Sequence, residues 1–333
     1  MIKNCENATP DDSLSKLPEN FAFVMNVKEF LSPVPYEMTT DHLFRRATSN
    51  EIEIIDNTVK EMSASPHKHT LKRFWKRRLP GPPYIKDDLL PEEEWRYYVI
   101  TFNGENSHLM QYIQAASDIS PKEIEIGFNI TFHMSGEKIC HSYGSIPSRY
   151  YQTLQRIDRD PDYFINIKQD DISYISSKYS QIIKHDPSSY PSAFDVKDVT
   201  LLDINNLKSL PYRSRFQFLG YFAILESLLV HKPKSTDPYD TITRQVKKKL
   251  VLLDNIWTPR LDYTFSPTSS TEKIWGKMYE LRSQIAHGDS IKSYDYGCLK
   301  EYSFAFSLLE QTVKSILRFT LDNTRLIVDL REC

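Results

Sequence analysis

Residues 122–134 constrain the fold more than any other stretch. Ile124, Ile126, Phe128, Ile130 and Phe132 fall on one face of an extended chain. Glu123, Glu125, Gly127, Asn129, Thr131 and His133 fall on the other. Period-two alternation of this kind describes a half-buried strand in an antiparallel sheet. After about residue 205 the period changes. Apolar residues then recur at three- and four-residue steps, the pattern of helices packed on one side. The two patterns in succession predict an α+β chain. Residues 1–190 form a mixed domain with an antiparallel sheet, and residues 205–325 an all-α bundle of four-helix type. The 333-residue length suits two domains.

In the first part, Thr40 to Met62 reads as a helix, with a strand near Ile52–Ile55 as the alternative. A strand follows over Glu94–Phe102 and ends at an Asn103-Gly104 turn. A short helix is expected over Asn106–Ser117, a strand over Lys138–Ser145 after a Ser135-Gly136 turn, and a helix over Asp171–Lys184. Met1 to Pro18 is polar and expected to fray. Asp186–Ala193 reads as a linker. In the second part Pro211 opens a helix to Val230. Asp237-Pro238 caps a second helix to about Asp254, and Asn255–Pro267 is a loop. Ser269 to Glu272 has capping-box spacing and opens a third helix to His287. A fourth runs from about Tyr294 to Leu321.

Charge narrows the function. The net charge of -2 excludes wholesale polyanion binding, so nucleic acid would have to meet a local basic surface. Two stretches qualify, Lys72 and Arg73 with Trp75 interleaved, and Lys247-Lys248. In each, a solvated basic helix face is the plainer interpretation. Cys5, Cys140, Cys298 and Cys333 show neither zinc-type pairs nor a disulfide spacing. With no signal peptide and no apolar run of membrane length, this predicts a reduced, cytoplasmic protein without a membrane segment. His133, Cys140 and His141 could meet on neighbouring strands, but no fourth ligand is evident. The expectation is no metal and no cofactor. No nucleotide-binding loop, zinc-protease motif or nucleophile elbow occurs.

The chemistry concentrates in Leu281-Arg282-Ser283-Gln284-Ile285-Ala286-His287-Gly288. Arg282 and His287 stand five residues apart, about 7.5 Å of rise and about 140° of rotation along a regular helix. Gly288 is suited to the left-handed position that ends a helix, which would leave His287 at the terminus and free to swing toward Arg282. Helix-end carbonyls favour a protonated imidazole. The arginine fork suits phosphate oxygens. Together the two residue types fit phosphodiester cleavage without a metal. The plainer alternative is an arginine salt bridge and a histidine that caps its own helix. Glu226, among apolar Leu225, Leu228 and Leu229, needs a cation. Arg282 would make it part of the site, whereas Arg213, Arg215 or Arg244 would make it a structural pair.

The segment resembles the Arg-x4-6-His motif of the HEPN superfamily, and more closely its Apea-like group. Arg215 to Leu229, with its aliphatic-Glu-x-Leu-Leu core, is similar to the group's first helix, and Ile274 to Gly288 to its motif helix. The resemblance spans roughly residues 205–325. It implies a metal-independent endoribonuclease whose bundles dimerise so that two motif copies face one cleft. It implies that His287 transfers protons and Arg282 holds the scissile phosphate, giving a 2′,3′-cyclic phosphate and a 5′-hydroxyl. RNA is then the substrate and a second copy the partner. The role is toxin-type or antiviral defence, with a phage-derived trigger or regulatory partner acting through residues 1–190. The chain departs from the pattern in one place: active members often carry Asn, Asp or His after the arginine, where this chain has Ser283. Some HEPN domains are non-catalytic binding or dimerisation modules, which stands as the alternative.

Overall fold

A computed structural model describes residues 4–5, 18–62, 76–78, 87–89, 97–104, 106–136, 138–144, 149–159, 163–185, 203–232, 241–292 and 294–333. The chain divides into two compact units. The first comprises residues 1–117 with 121–177, the second residues 118–120 with 178–333. The predicted class is observed, an antiparallel-sheet part followed by a helical one.

The first unit carries β1 (Asn4–Cys5), β2 (Asn20–Val24), β3 (Val27–Phe30), β4 (Tyr36–Thr39), β5 (His42–Arg46) and α1 (Ser49–Met62). After the short strands β6 (Lys76–Arg78) and β7 (Asp87–Leu89) come β8 (Tyr98–Phe102), α2 (Met110–Asp118), β9 (Ile126–Ser135) and β10 (Lys138–Tyr143). Helix α3 (Arg149–Arg159) and β11 (Ile165–Ile167) follow, and α4 (Gln169–Lys184) starts in this unit and continues from residue 178 in the second. Seven strands form one antiparallel sheet in the order β1-β10-β9-β2-β8-β5-β4. Strand β2 is central and almost wholly buried. Phe21, Phe23, Val99, Phe128 and Ile130 of the sheet pack with Ile54, Ile55, Tyr150, Leu154 and Ile157 of the helices.

Strand β9 forms within the predicted stretch but begins at Ile126, four residues later than the alternation predicts, and Gly104 and Gly136 take the left-handed conformation their turns require. The half-buried pattern holds only toward the end of β9, because Ile126, Gly127 and Phe128 are all buried. A side chain at Gly127 would come within 2.9 Å of Met25. The helix expected from Thr40 is corrected. Residues 36–46 form a hairpin, and β5 pairs with β8, Phe44 opposite Ile100. The helix begins only at Ser49, and Ile52–Ile55 lies inside it. A capping box sets that start. The Thr48 amide donates to Glu51 Oε2 at 2.7 Å, and the Glu51 amide to Thr48 Oγ1 at 3.3 Å. The all-reduced expectation for the cysteines is also corrected, since Cys140 is disulfide-bonded. Its backbone partner across the strands is Cys5. Lys72, Arg73 and Trp75, the Asp186–Ala193 linker and most of Met1–Pro18 lie outside the described residues.

The second unit contains a short turn α5 (Asn205–Lys208) and four long helices, α6 (Arg215–Leu229), α7 (Ile242–Ile256), α8 (Thr271–Ala286) and α9 (Tyr302–Asp322). Helix α10 (Thr324–Glu332) ends the chain. Their shared core includes Phe218, Phe222, Leu225, Leu250, Trp275, Met278, Leu281, Leu309 and Val313. No described helix is long and apolar enough to cross a membrane.

The helix starts differ from expectation for local reasons. Helix α6 begins after Ser214, whose side chain accepts from the Gln217 amide, because Arg213 before it is left-handed at φ 58°. Helix α7 is capped by Thr241, whereas Asp237 and Pro238 lie outside the described residues. In α8 the cap is Ser270, one residue later than the box spacing predicts. The expected fourth helix from Tyr294 is interrupted. Gly297–Leu299 is a 3-10 turn, Lys300 is left-handed at φ 63°, and α9 begins at Tyr302.

One glycine in α6 is required by packing. A methyl built on Gly220 would lie 1.9 Å from Leu207 Cδ2, so α5 can sit against α6 only where no side chain intervenes. Gly220→Ala should therefore destabilise the protein by about 1–3 kcal/mol, the usual range for overpacking. Chemical denaturation of Gly220→Ala, Leu207→Ala and the double variant checks this. The double variant should be more stable than the sum of the single losses, and strict additivity would contradict the contact.

Candidate functional site

The cation that meets Glu226 is Arg282, not Arg213, Arg215 or Arg244. Arg282 Nη2 donates to Glu226 Oε2 at 3.2 Å, across the seam between α6 and α8. The Glu226 side chain is 17% exposed and that of Arg282 37%, so the pair lies at the edge of the core with the arginine reaching outward. Arg282 Nε and Glu226 Oε1 are buried without a hydrogen-bond partner. The buried Tyr279 hydroxyl stands beside the same carboxylate, though without an aligned hydrogen bond. Burial first, and then the Glu226 charge, hold this hydroxyl far above the ordinary tyrosine pKa, with Arg282 opposing. Tyr279 is thus a neutral phenol against a carboxylate. From the sequence Tyr279 is assigned no role, although its spacing of three from Arg282 puts both on one flank of α8.

The end of α8 forms as Gly288 predicts. Gly288 is left-handed at φ 84°, its amide donates to the Ile285 carbonyl at 3.1 Å, and the Asp289 amide donates to the Gln284 carbonyl at 3.0 Å. This is the Schellman arrangement, with His287 as the C-cap. The swing of His287 toward Arg282 does not follow. His287 keeps helical dihedrals, φ -82° and ψ -2°, and the chain turns only after it. The two side chains therefore leave the helix about 140° apart. His287, Ser283, Ala286 and Gly288 are exposed. Among the described residues no hydrogen bond joins His287 to Arg282.

A second contact fixes the direction of the helices. Arg215 Nη1, at the start of α6, donates to the Asp289 carbonyl at 3.2 Å. Arg282 meets Glu226 near the far end of α6, so α6 and α8 run in opposite directions. Eleven residues of α6 separate the two contacts, about 16 Å of rise. Arg282 marks one end of that seam and Arg215 the other, while His287 leaves α8 on a different side.

Two tyrosines of the next loop pack on each other, Tyr296 near Arg215 and Tyr294 against Lys277 of α8. The Tyr296 hydroxyl donates to the Ile291 carbonyl at 2.9 Å, and the Tyr294 hydroxyl to the Lys277 carbonyl at 3.2 Å. The two rings meet edge to face at 5.0 Å. Burial raises the Tyr296 hydroxyl pKa and the nearby Arg215 guanidinium opposes it. The Lys277 ammonium lies 4.9 Å from the Tyr294 ring centre and 2.9 Å from Glu280. None of these was singled out from the sequence, where a tyrosine-rich loop has no periodicity to mark it.

The other expected site residues disperse. Lys248 is exposed and Lys247 half-buried, the latter with its Nζ 3.6 Å from where a side chain on Gly276 would begin. Lys249 of the same run points inward and caps α6, its Nζ donating to the Leu229 carbonyl at 2.8 Å. In the first unit His133 pairs across the strands with Cys140, and His141 with Phe132. The Cys140 disulfide removes that sulfur from any metal set. A cavity of about 580 Å³ there is lined by Asn20, Phe102, Ser107, Thr131 and His133 among others, and by no motif residue.

Comparison of the chain with protein-family models, with characterised proteins and with solved structures returns no match.

Gly288→Ala should cost about 1–2 kcal/mol, the penalty of a left-handed non-glycine residue, and should fray the last turn of α8. Thermal melts of the wild type and Gly288→Ala check it, and unchanged stability would contradict the assigned helix end.

Proposed function

We propose that the helical unit is a metal-independent endoribonuclease of the HEPN type, active as a homodimer. The carrying observation is the Glu226–Arg282 pair. It joins the two segments on which the family resemblance rests, with the exposed His287 five residues farther along α8.

The chemistry follows from the residue types. His287 takes the proton of an RNA 2′-hydroxyl. The 2′-oxygen attacks phosphorus, and the bond from phosphorus to the 5′-oxygen breaks. That oxygen leaves with a proton from an imidazolium, giving a 2′,3′-cyclic phosphate and a 5′-hydroxyl. Arg282, oriented by Glu226, faces the charge that builds on the phosphoryl oxygens. Within one chain Arg282 and His287 diverge about the helix axis. A second copy facing the first supplies the complementary pair, which is the argument for a homodimer. No metal or other cofactor has a step in this scheme.

We assign this activity to defence, the N-terminal unit sensing a phage-derived trigger or regulating the bundle. The Cys140 disulfide weighs against a reducing compartment.

The second reading is a non-catalytic dimerisation or binding module. Two observations favour it. Glu226 already neutralises Arg282, and Ser283 stands where active relatives carry a longer polar or charged group.

Purified wild type should cleave RNA with EDTA present and arrest growth when expressed. Arg282→Ala and His287→Ala should each lower the cleavage rate about 100-fold or more and relieve the arrest. Their circular dichroism should match wild type, because neither side chain belongs to the apolar core. Full cleavage by both variants would exclude the catalytic reading, and dimerisation without any cleavage would select the binding module.

A further inference from the structure

We propose that Arg215, Phe216 and Tyr296 form a subsite for single-stranded RNA that continues the motif seam, with bases stacked on the rings and a phosphate on Arg215. This rests on the ribonuclease reading and specifies its substrate as unpaired RNA.

Three features carry it. The first is position. The Arg215 contact to the Asp289 carbonyl stands two residues beyond His287, so the subsite adjoins the motif. A strand leaving the reacting phosphate along the α6–α8 seam, about 16 Å long, meets Arg215 next.

The second is preorganisation. The Tyr296 ring is tied through its hydroxyl to the Ile291 carbonyl and braced by the Tyr294 edge. Tyr294 is in turn held by its bond to the Lys277 carbonyl. A ring fixed in advance loses little freedom when a base stacks on it. The Arg215 guanidinium is likewise oriented by a backbone carbonyl, while the residue as a whole is exposed.

The third is exposure without an intramolecular role. Phe216 is 72% exposed, the most exposed large apolar side chain among the described residues, and it directly follows Arg215. An exposed aromatic ring beside a cation is a usual element of single-strand platforms. Paired bases hide their faces inside the duplex, so stacking of this kind selects unpaired RNA. Of the nearby acids, Glu280 is paired with Lys277.

The test is RNA binding by full-length His287→Ala protein, which leaves the RNA intact, followed by fluorescence anisotropy. The probes are an unstructured labelled single strand and a duplex of the same length. The single strand should bind about tenfold more tightly or better. Adding Tyr296→Ala should remove most of that preference, while Tyr296→Phe, which keeps the ring, should retain it. Arg215→Gln should weaken binding and lower the salt slope by about one ion. Equal affinity for the two probes, no binding of either, or indifference to Tyr296→Ala would each overturn the proposal. If Phe216→Ser changes the oligomeric state and leaves RNA affinity untouched, the exposed ring belongs to a protein interface and the subsite is wrong. Strand-selective binding by a wild type that cleaves nothing would keep this inference and discard the nuclease. Cleavage indifferent to strandedness would do the reverse.

Discussion

A carboxylate in the apolar run of α6 is the constraint on which the candidate site depends. Glu226 sits between Leu225 and Leu228, both fully buried, so it must meet a positive charge or pay for desolvation. Helix α8 meets that demand with Arg282, and the requirement fixes the register in which the two helices pass. Arg215 and the Asp289 carbonyl hold the opposite end of the seam. Between these contacts the apolar side chains of α6 and α8 bury into one core, Phe222 meeting Tyr279 edge to face at 5.0 Å. The pair adds little to stability where it is partly exposed, on the order of 1 kcal/mol or less. Its consequence is geometric, for it holds a guanidinium outward at the rim of a rigid seam.

The same geometry separates the two motif residues in a way that spacing alone left open. Gly288 gives the left-handed turn, but the turn comes after His287 and carries the chain onward to Asp289. The histidine is therefore presented to solvent and not folded back on Arg282. One bundle offers a cation and a proton carrier on different sides of one helix end, and a second copy is what makes them converge in the proposed enzyme. The loop that follows brings Tyr296 near Arg215 and packs it on Tyr294, which is anchored on the Lys277 carbonyl.

Much of the architecture is legible where one signal dominates. Strand β9 and its turn at Gly136, and the end of α8 at Gly288, follow from side-chain period or from the conformational demands of glycine. Residues 42–46 show where this fails. His-Leu-Phe-Arg-Arg fits both a helix and a strand over so short a run, and the choice is made by pairing with β8, far along the chain. The start of α6 was drawn at Pro211 because proline favours first turns, yet Arg213 takes a left-handed conformation and Ser214 caps instead. At the site, Arg282, Glu226 and His287 stood out by residue type. Tyr279 and Tyr296 did not, and Arg215 stood out only as an alternative partner for Glu226, since each gains its place only when separate helices and a loop meet in three dimensions.

The central claim is that this seam positions a phosphodiester for attack by its own 2′-hydroxyl. End-group analysis of the cut RNA addresses it most directly, using purified protein and an unstructured strand in the presence of EDTA. The account predicts fragments ending in a 2′,3′-cyclic phosphate and beginning with a 5′-hydroxyl. Fragments with 3′-hydroxyl and 5′-phosphate ends, or cutting that stops with chelation, would contradict it.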